Sequence, residues 1–294
     1  MDFNLPTPLQ KISYKVLTEA NVELWLKRDE LTHPFLQGNK WRKLKYNLQA
    51  AKEQNYDTLI SFGGARSNHI YSLAAAGQLF NFKTVGVIQG YEDLPLTPTL
   101  QFAVSQGMRL VFLSKTAYKN RYETEFQTWL KKEFGEHYQL PDGGCNHLAV
   151  KGVAELFDEI NQSFDICCVA VGTGCTLAGC VAGAKRNGVK KLAGFSSLKG
   201  EDTLSGDVSR LLAEYGETDY PDWYINRDYD FGGYGKSTPE LQQFISEFQR
   251  TQNILLDPIY TSKMLYGILD MVAKNAFPRG TKILAIHTGG LQQA

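Results

Sequence analysis

Phe164-Asp-Ile-Cys-Cys-Val-Ala-Val171, running directly into Gly172-Thr-Gly-Cys-Thr-Leu-Ala-Gly179, is the stretch that decides the fold. The first half is almost continuously apolar, which suits a central strand of a parallel sheet, buried on both faces. The small residues that follow let the backbone turn tightly and present the free N–H groups of a helix start. Such a turn is built to receive an anion, and phosphate is the expected one. Thr173 and Thr176 would add hydroxyl donors. Two nucleotide readings fail on residue identity. A dinucleotide fingerprint starting at Gly172 requires glycine or alanine where the chain has Leu177. A Walker loop requires Gly-Lys-Ser/Thr where the chain reads Gly179-Cys180-Val181.

Outward from this point, apolar strands alternate with helical segments. A helix is expected over Thr176–Asn187, a strand over Lys191–Phe195 and a last strand over Thr281–His287. Upstream, Asp57–Ser61 (strand), Asn68–Phe80 (helix), Lys83–Gln89 (strand), Thr99–Gln106 (helix) and Arg109–Leu113 (strand) form a βαβαβ unit of their own. The pattern predicts an α/β protein with parallel sheets and two domains, with ligand sites beyond the C-terminal ends of strands. The expected division is 1–45 plus 155–294 as a large cofactor-binding domain, and 46–154 as a small α/β domain.

Composition narrows the function. Among 294 residues, Lys+Arg and Asp+Glu both number 31, so the basic stripe of a nucleic-acid binder is not expected. No run approaches the ~20 apolar residues of a membrane-spanning helix. Met1-Asp-Phe-Asn-Leu-Pro-Thr-Pro-Leu-Gln10 has neither a basic nor an apolar leader segment, so no secretory signal is expected. The five cysteines are odd in number, two of them adjacent (Cys167, Cys168), and no C-x-x-C pair offers a zinc site. Reduced thiols in a cytoplasmic protein, with no metal, are the expectation.

Four further segments carry chemistry. Gly38-Asn-Lys-Trp-Arg-Lys-Leu44 sets three cations within four positions. A solvated helix face explains that pattern; so does one desolvated lysine acting as a nucleophile towards an aldehyde, with Arg42 and Lys43 contributing like-charge repulsion. Ser61-Phe-Gly-Gly-Ala-Arg-Ser-Asn-His69 lies between a strand and a helix, where Ser67, Asn68 and the next amides would meet a carboxylate, or simply cap the helix. In Leu256-Asp-Pro-Ile-Tyr-Thr-Ser-Lys263, before an apolar helix over Met264–Ala273, Thr261 reads as an N-cap and Tyr260 as a core aromatic or a ligand contact. His287-Thr-Gly-Gly290 ends the last strand as a turn or a site.

In this order and at these intervals the segments resemble the fold-type II pyridoxal-5′-phosphate (PLP) enzymes, the two-domain, tryptophan synthase β-like class. Within it they are most similar to the family of D-cysteine desulfhydrase and 1-aminocyclopropane-1-carboxylate deaminase. The resemblance runs from Pro6-Thr-Pro-Leu9 and Lys27-Arg-Asp-Glu30 to His287-Thr-Gly-Gly290, and Gly38-Asn-Lys-x-Arg-Lys-Leu44 is specific to this branch. It implies that Lys40 carries PLP as a Schiff base and that Asn68 bonds the cofactor's phenolic oxygen. It implies further that Ser67, with Asn68 and His69, receives the substrate carboxylate. Gly172, Thr173, Gly174, Cys175 and Thr176 would form the phosphate loop, with Cys175 standing where a smaller residue such as glycine is expected. Tyr234 and Tyr260 would face the substrate, Thr261 the pyridine nitrogen, and Thr288 the cofactor. Lys40, Ser67, Tyr234 and Tyr260 are the implied catalytic set, and a homodimer is the implied assembly.

Two positions bear on the reaction. Deaminases that open the cyclopropane ring resemble one another in carrying glutamate opposite the pyridine nitrogen and leucine in the His-x-Gly-Gly segment. Thr261 and Thr288 are instead the desulfhydrase choices. The expected activity is therefore β-elimination from D-cysteine or a similar small amino acid, giving pyruvate, ammonia and sulfide. The alternatives are ring-opening deamination to 2-oxobutanoate and ammonia, another lyase or racemase on the same scaffold, and a non-catalytic PLP-binding protein.

Overall fold

The structure, a computed structural model, describes residues 3–200, 203–216 and 218–293. The chain opens with strand β1 (Leu9–Ile12), helix α1 (Lys15–Ala20), strand β2 (Glu23–Lys27) and helix α2 (Asn39–Glu53). Strand β3 (Thr58–Gly64), helix α3 (Asn68–Phe80), strand β4 (Lys83–Gln89), helix α4 (Pro98–Ser105) and strand β5 (Arg109–Leu113) follow. Helices α5 (Lys115–Lys119) and α6 (Thr124–Phe134) lead to strand β6 (Tyr138–Gln139) and helix α7 (His147–Ala154). Next come β7 (Ile166–Val171), α8 (Cys175–Ala184), β8 (Lys191–Ser196), α9 (Leu204–Tyr215) and β9 (Asp222–Asn226). Helices α10 (Pro239–Gln252) and α11 (Thr261–Ala273) and strand β10 (Lys282–Ile286) complete the order.

Two compact units result, one of residues 1–42 with 147–294 and one of 43–146. The larger has a six-stranded sheet in the order β1-β2-β10-β7-β8-β9. Every pairing in it is parallel except β1 with β2. All six residues of β7 are buried, as its apolar run predicts. Cys168 and Ala170 of β7, with Ile283 and Ala285 of β10, share a core with Met264, Leu265 and Ile268 of α11. Burying each large apolar side chain of this kind contributes about 1.5–3 kcal/mol. On the opposite face Cys167 meets Cys180 of α8. Helix α7, placed by the sequence with the small domain, belongs to the larger unit. A Cβ on Gly179 of α8 would fall 2.4 Å from Val153, so the two helices touch backbone to side chain.

The smaller unit has a four-stranded parallel sheet in the order β5-β4-β3-β6. Ile60 and Phe62 of β3 and Val85 and Val87 of β4 pack with Tyr118 and Leu130. Strand β3 runs past the expected Ser61 to Gly64, because β4 pairs with it as far as Gly64 opposite Gln89. The Asp142 carboxylate ties this unit's loops together, accepting from Tyr118 Oη (2.6 Å), Tyr122 Oη (2.7 Å) and Arg121 Nη2 (2.9 Å). Among the described residues no helix is long and apolar enough to cross a membrane.

Candidate active site

Lys40 lies in the first turn of α2, and the turn before it is clamped on two loops of the larger unit. Asn39 Nδ2 donates to Thr176 Oγ1 at 2.8 Å, tying the helix start to the glycine-rich loop after β7. Thr176 accepts this bond, so its own proton remains to be given. Gln37 Oε1 accepts from Gly290 N (3.1 Å) and Leu291 N (3.0 Å). A Cβ at Gly38 would fall 2.5 Å from the Thr288 carbonyl oxygen, so the 37–39 turn and the 288–291 segment touch at the backbone.

The structure also separates the three cations that the sequence leaves equivalent. Arg42 is buried and donates to Asp29 at 2.6, 2.9 and 3.1 Å and to Glu159 at 2.9 Å. Burial alone would depress its guanidinium; the two carboxylates outweigh that and hold it above its ordinary value. Lys27 joins the same network, its Nζ 2.6 Å from both Glu159 Oε2 and the Thr7 carbonyl. Two cations thus meet two carboxylates, so the charge of Arg42 is balanced within its own network. Lys43 Nζ lies 3.4 Å from the Gly143 carbonyl. What Arg42 does instead is anchor the first turns of α2.

The loop after β7 has the geometry its composition predicts. Gly174 adopts φ +79°, a conformation that costs other residues about 1–2 kcal/mol, and caps α8. A Cβ there would lie 2.9 Å from Val208 Cγ2. Cys175, the first residue of α8, is fully buried. Thr173 is exposed, at the turn itself.

The start of α11 differs from expectation. Thr261 is not the cap. Asp257, four residues upstream and fully buried, accepts from Ile259 N (3.0 Å), Tyr260 N (2.7 Å) and Thr261 N (2.7 Å). This leaves Thr261 Oγ1 buried with no hydrogen-bond partner. Tyr260 packs against the glycine loop: a Cβ at Gly172 would meet its ring at 3.1 Å. Burial holds the Tyr260 phenol well above its ordinary range. The half-exposed Tyr234 presents its ring edge-on to Tyr260, centroids 6.1 Å apart. His287 is buried at the end of β10. Its Nδ1 accepts from Gly289 N (3.3 Å), so Nε2 carries the proton and donates to the Leu255 carbonyl (2.8 Å).

The larger unit therefore gathers Lys40, Gly172–Thr176, Tyr234, Tyr260, Thr261 and Thr288. Ser67, Asn68 and His69 lie in the smaller unit, at the start of α3. Ser67 is its N-cap, accepting from Ile70 N at 3.3 Å. The His69 ring, expected at the substrate, turns inward and is 2% exposed. With Ser61 Oγ donating to the Leu140 carbonyl (3.0 Å), His69 Nε2–H donates to Ser61 Oγ (2.8 Å). The ring supports the 61–69 turn from beneath. Sequence reasoning also passed over Asp29, Asp257 and Glu159, whose partners are distant in the chain or are backbone amides. An aspartate a few residues before a helix was the one local signal available for Asp257.

The donor set fits a phosphorylated pyridine aldehyde. A glycine turn with helix amides suits a dianion, a lysine amine suits an aldehyde, and the buried hydroxyl of Thr261 suits a ring nitrogen. Comparison with known proteins agrees. Residues 1–289 match the family described as pyridoxal-phosphate dependent enzyme. A Pyrococcus horikoshii protein provisionally named 1-aminocyclopropane-1-carboxylate deaminase is 31% identical over 97% of this chain and 89% of its own. A mitochondrial protein of Arabidopsis thaliana named bifunctional D-cysteine desulfhydrase/1-aminocyclopropane-1-carboxylate deaminase is also 31% identical, over 98% of this chain and 77% of its own. The crystal structure of an ACC deaminase homologue superposes with a TM-score of 0.84 at 30% identity, covering 98% of this chain and 90% of the other. The chain belongs to the pyridoxal-phosphate-dependent enzymes, with the α/β fold of their fold-type II class.

Proposed function

We propose that the protein catalyses β-elimination from D-cysteine, or a closely similar small amino acid, to pyruvate, ammonia and sulfide. The observation that carries this reading is Thr261, an uncharged hydroxyl at the position expected to face the pyridine nitrogen. Asp257, three residues from Tyr260, cannot substitute as a free carboxylate there, because three amides already bond its two oxygens. Bound PLP supplies an electron sink for the carbanion formed at the substrate Cα. A carboxylate facing the ring nitrogen would strengthen that sink. Without one, departure of a thiolate, a good leaving group, is the easier demand, and opening an unactivated cyclopropane the harder.

The remaining roles follow from this chain's own residues. The amides of 174–176 and the Thr176 hydroxyl hold phosphate. Asn39, bonded to Thr176, fixes the backbone that presents Lys40. The Lys40 amine would hold the cofactor and, once the substrate's own amine displaces it, would be free to take the α-proton. Ser67 and Asn68, at the start of α3, receive the substrate carboxylate, while Tyr234 and Tyr260 face the reacting side chain. The names carried by the relatives favour a second reading, ring-opening deamination to 2-oxobutanoate. The test is to supply purified holoenzyme with D-cysteine and with 1-aminocyclopropane-1-carboxylate at matched concentrations. Pyruvate and sulfide released faster than 2-oxobutanoate are expected; the reverse order refutes the proposal in favour of the second reading.

A further inference from the structure

Lys263 sits two residues after Thr261 on α11 and is 1% exposed. Its ammonium donates to two carbonyls of one loop, Asp230 O at 2.7 Å and Gly233 O at 2.8 Å. Lysine is among the residues least often found buried, and then usually opposite a carboxylate. Here its partners are backbone oxygens. Burial pushes the ammonium below its ordinary value, and the more distant Asp230 and Asp257 carboxylates partly restore it.

The loop so held has a strained backbone and mostly short-range bonds of its own. Phe231, Gly232, Gly233 and Gly235 have φ of +51°, +91°, +106° and +66°, so nearly every residue around Tyr234 sits in the left-handed region. Its own bonds are the short turns Gly233 N to Asp230 O (3.0 Å), Lys236 N to Gly233 O (3.1 Å) and Gly232 N to Asp230 Oδ1 (2.7 Å), and Phe231 packs edge-to-face with Tyr266 (centroids 5.0 Å apart). Tyr234 is 47% exposed, so its side chain is held by its contact with Tyr260 and not by burial in the core. The two carbonyls that receive Lys263 bracket the residues leading into Tyr234. Because Lys263 rides on the same first turn as Tyr260 and Thr261, it fixes one face of the site to the other.

We propose that Lys263 is a positioning residue: it pins the 230–235 loop to the start of α11 and so sets the Tyr234 ring against Tyr260, where substrate is bound. This deepens the substrate-facing reading of Tyr234 and rests on it. The test uses holoenzyme carrying Lys263→Met, Lys263→Arg, Tyr234→Ala or the Lys263→Met/Tyr234→Ala pair. Three quantities are read: amide exchange over 230–236, cofactor absorbance, and kcat/KM for D-cysteine.

Lys263→Met is expected to speed exchange in 230–236 while β7, β8 and β10 stay protected and cofactor absorbance is kept. It should lower kcat/KM by at least about tenfold, roughly what loss of one hydrogen bond to a charged group is worth. Lys263→Arg, which keeps the charge and its donors, should recover most of that loss. The pair should be no worse than Tyr234→Ala alone, since both changes remove the same aligned ring. Unchanged exchange in Lys263→Met, or losses that multiply in the pair, overturns the proposal. If Tyr234→Ala alone turns over like the wild type, the substrate-facing role of Tyr234 falls, and the exchange result still decides whether the pin exists. Should Lys263→Met not fold, Lys263→Gln serves the same comparison.

Discussion

Replacing Asp29 by Asn tests how firmly Lys40 is held. Asp29 is fully buried and accepts three bonds from Arg42, which keeps Glu159 as its second partner. Removing one partner of a buried ion pair costs about 3–5 kcal/mol, because the other charge is left in a low-dielectric interior. With Glu159 remaining, the low end applies, about 3 kcal/mol. The larger unit has about 190 residues and, at ~2.1 cal/mol/K per residue, an unfolding entropy of about 0.4 kcal/mol/K. The expected fall in Tm is therefore about 7 °C, read by scanning calorimetry on the apoprotein. A buried pair is little screened, so the fall should be similar at low and high salt. The exposed pair Lys83–Asp57, at 76% and 66% exposure, is the control, and Asp57→Asn should move Tm by under about 1 °C. A fall of less than about 2 °C for Asp29→Asn, or one abolished by salt, would refute the assignment of a buried anchoring network.

Thr261→Val removes a buried hydroxyl that has no partner, so the apoprotein should gain about 1 kcal/mol in urea unfolding; a loss would reveal a partner. Gly174→Ala forces a strained φ and a 2.9 Å approach to Val208, so PLP titrated by absorbance should bind at least about tenfold more weakly. Unaltered PLP binding would mean the loop tolerates the change. Tyr122 is pushed up to about 12, first by burial and then by its bond to Asp142. The unfolded chain loses this proton first, so the stabilisation is complete below pH ~10 and falls as pH rises from ~10 to ~12. A 295 nm difference titration of wild type against Tyr122→Phe should show the late midpoint; a midpoint near 10 would contradict it.

The parts of the fold that were legible in the sequence are those whose burial is complete or whose caps are local. Strand β7 was evident because both its faces are covered. Helix α3 and strands β4 and β5 fall where the pattern places them, bounded by Ser67, Asn81 and Gln89. Strands β1, β2 and β9 were not anticipated: β1 and β9 lie at the edges of the sheet with mostly half-buried residues, and β2 mixes charged and apolar positions. Among the candidate site residues, the glycine turn, Lys40 and Tyr260 are recognisable in the sequence as residue types. Their supports are not. Arg42 finds Asp29 and Glu159 at 13 and 117 residues' separation, which no local pattern encodes. Thr261 has every local mark of a cap, yet Asp257 reaches past Pro258 and takes the amides first. His69 enters as a substrate contact through the resemblance alone; its bond to Ser61, eight residues away, is made by the fold and has no local signal.

The capping arrangement at α11 bears on how such an enzyme can change its chemistry over evolutionary time. Since the Asp257 carboxylate, and not the Thr261 hydroxyl, receives the amides at the helix start, the side chain at 261 can be exchanged without removing the cap. A neutral side chain can be exchanged at this fully buried position with little penalty in folding, whereas an acidic one would need a partner, which the nitrogen of a bound pyridine ring would supply on the proposed reading. Position 261 is then a place where sequence can vary without the helix cap varying with it, so, on the proposed reading, changes there and at Thr288 could alter chemistry while Asp257 keeps the start of α11 as it is.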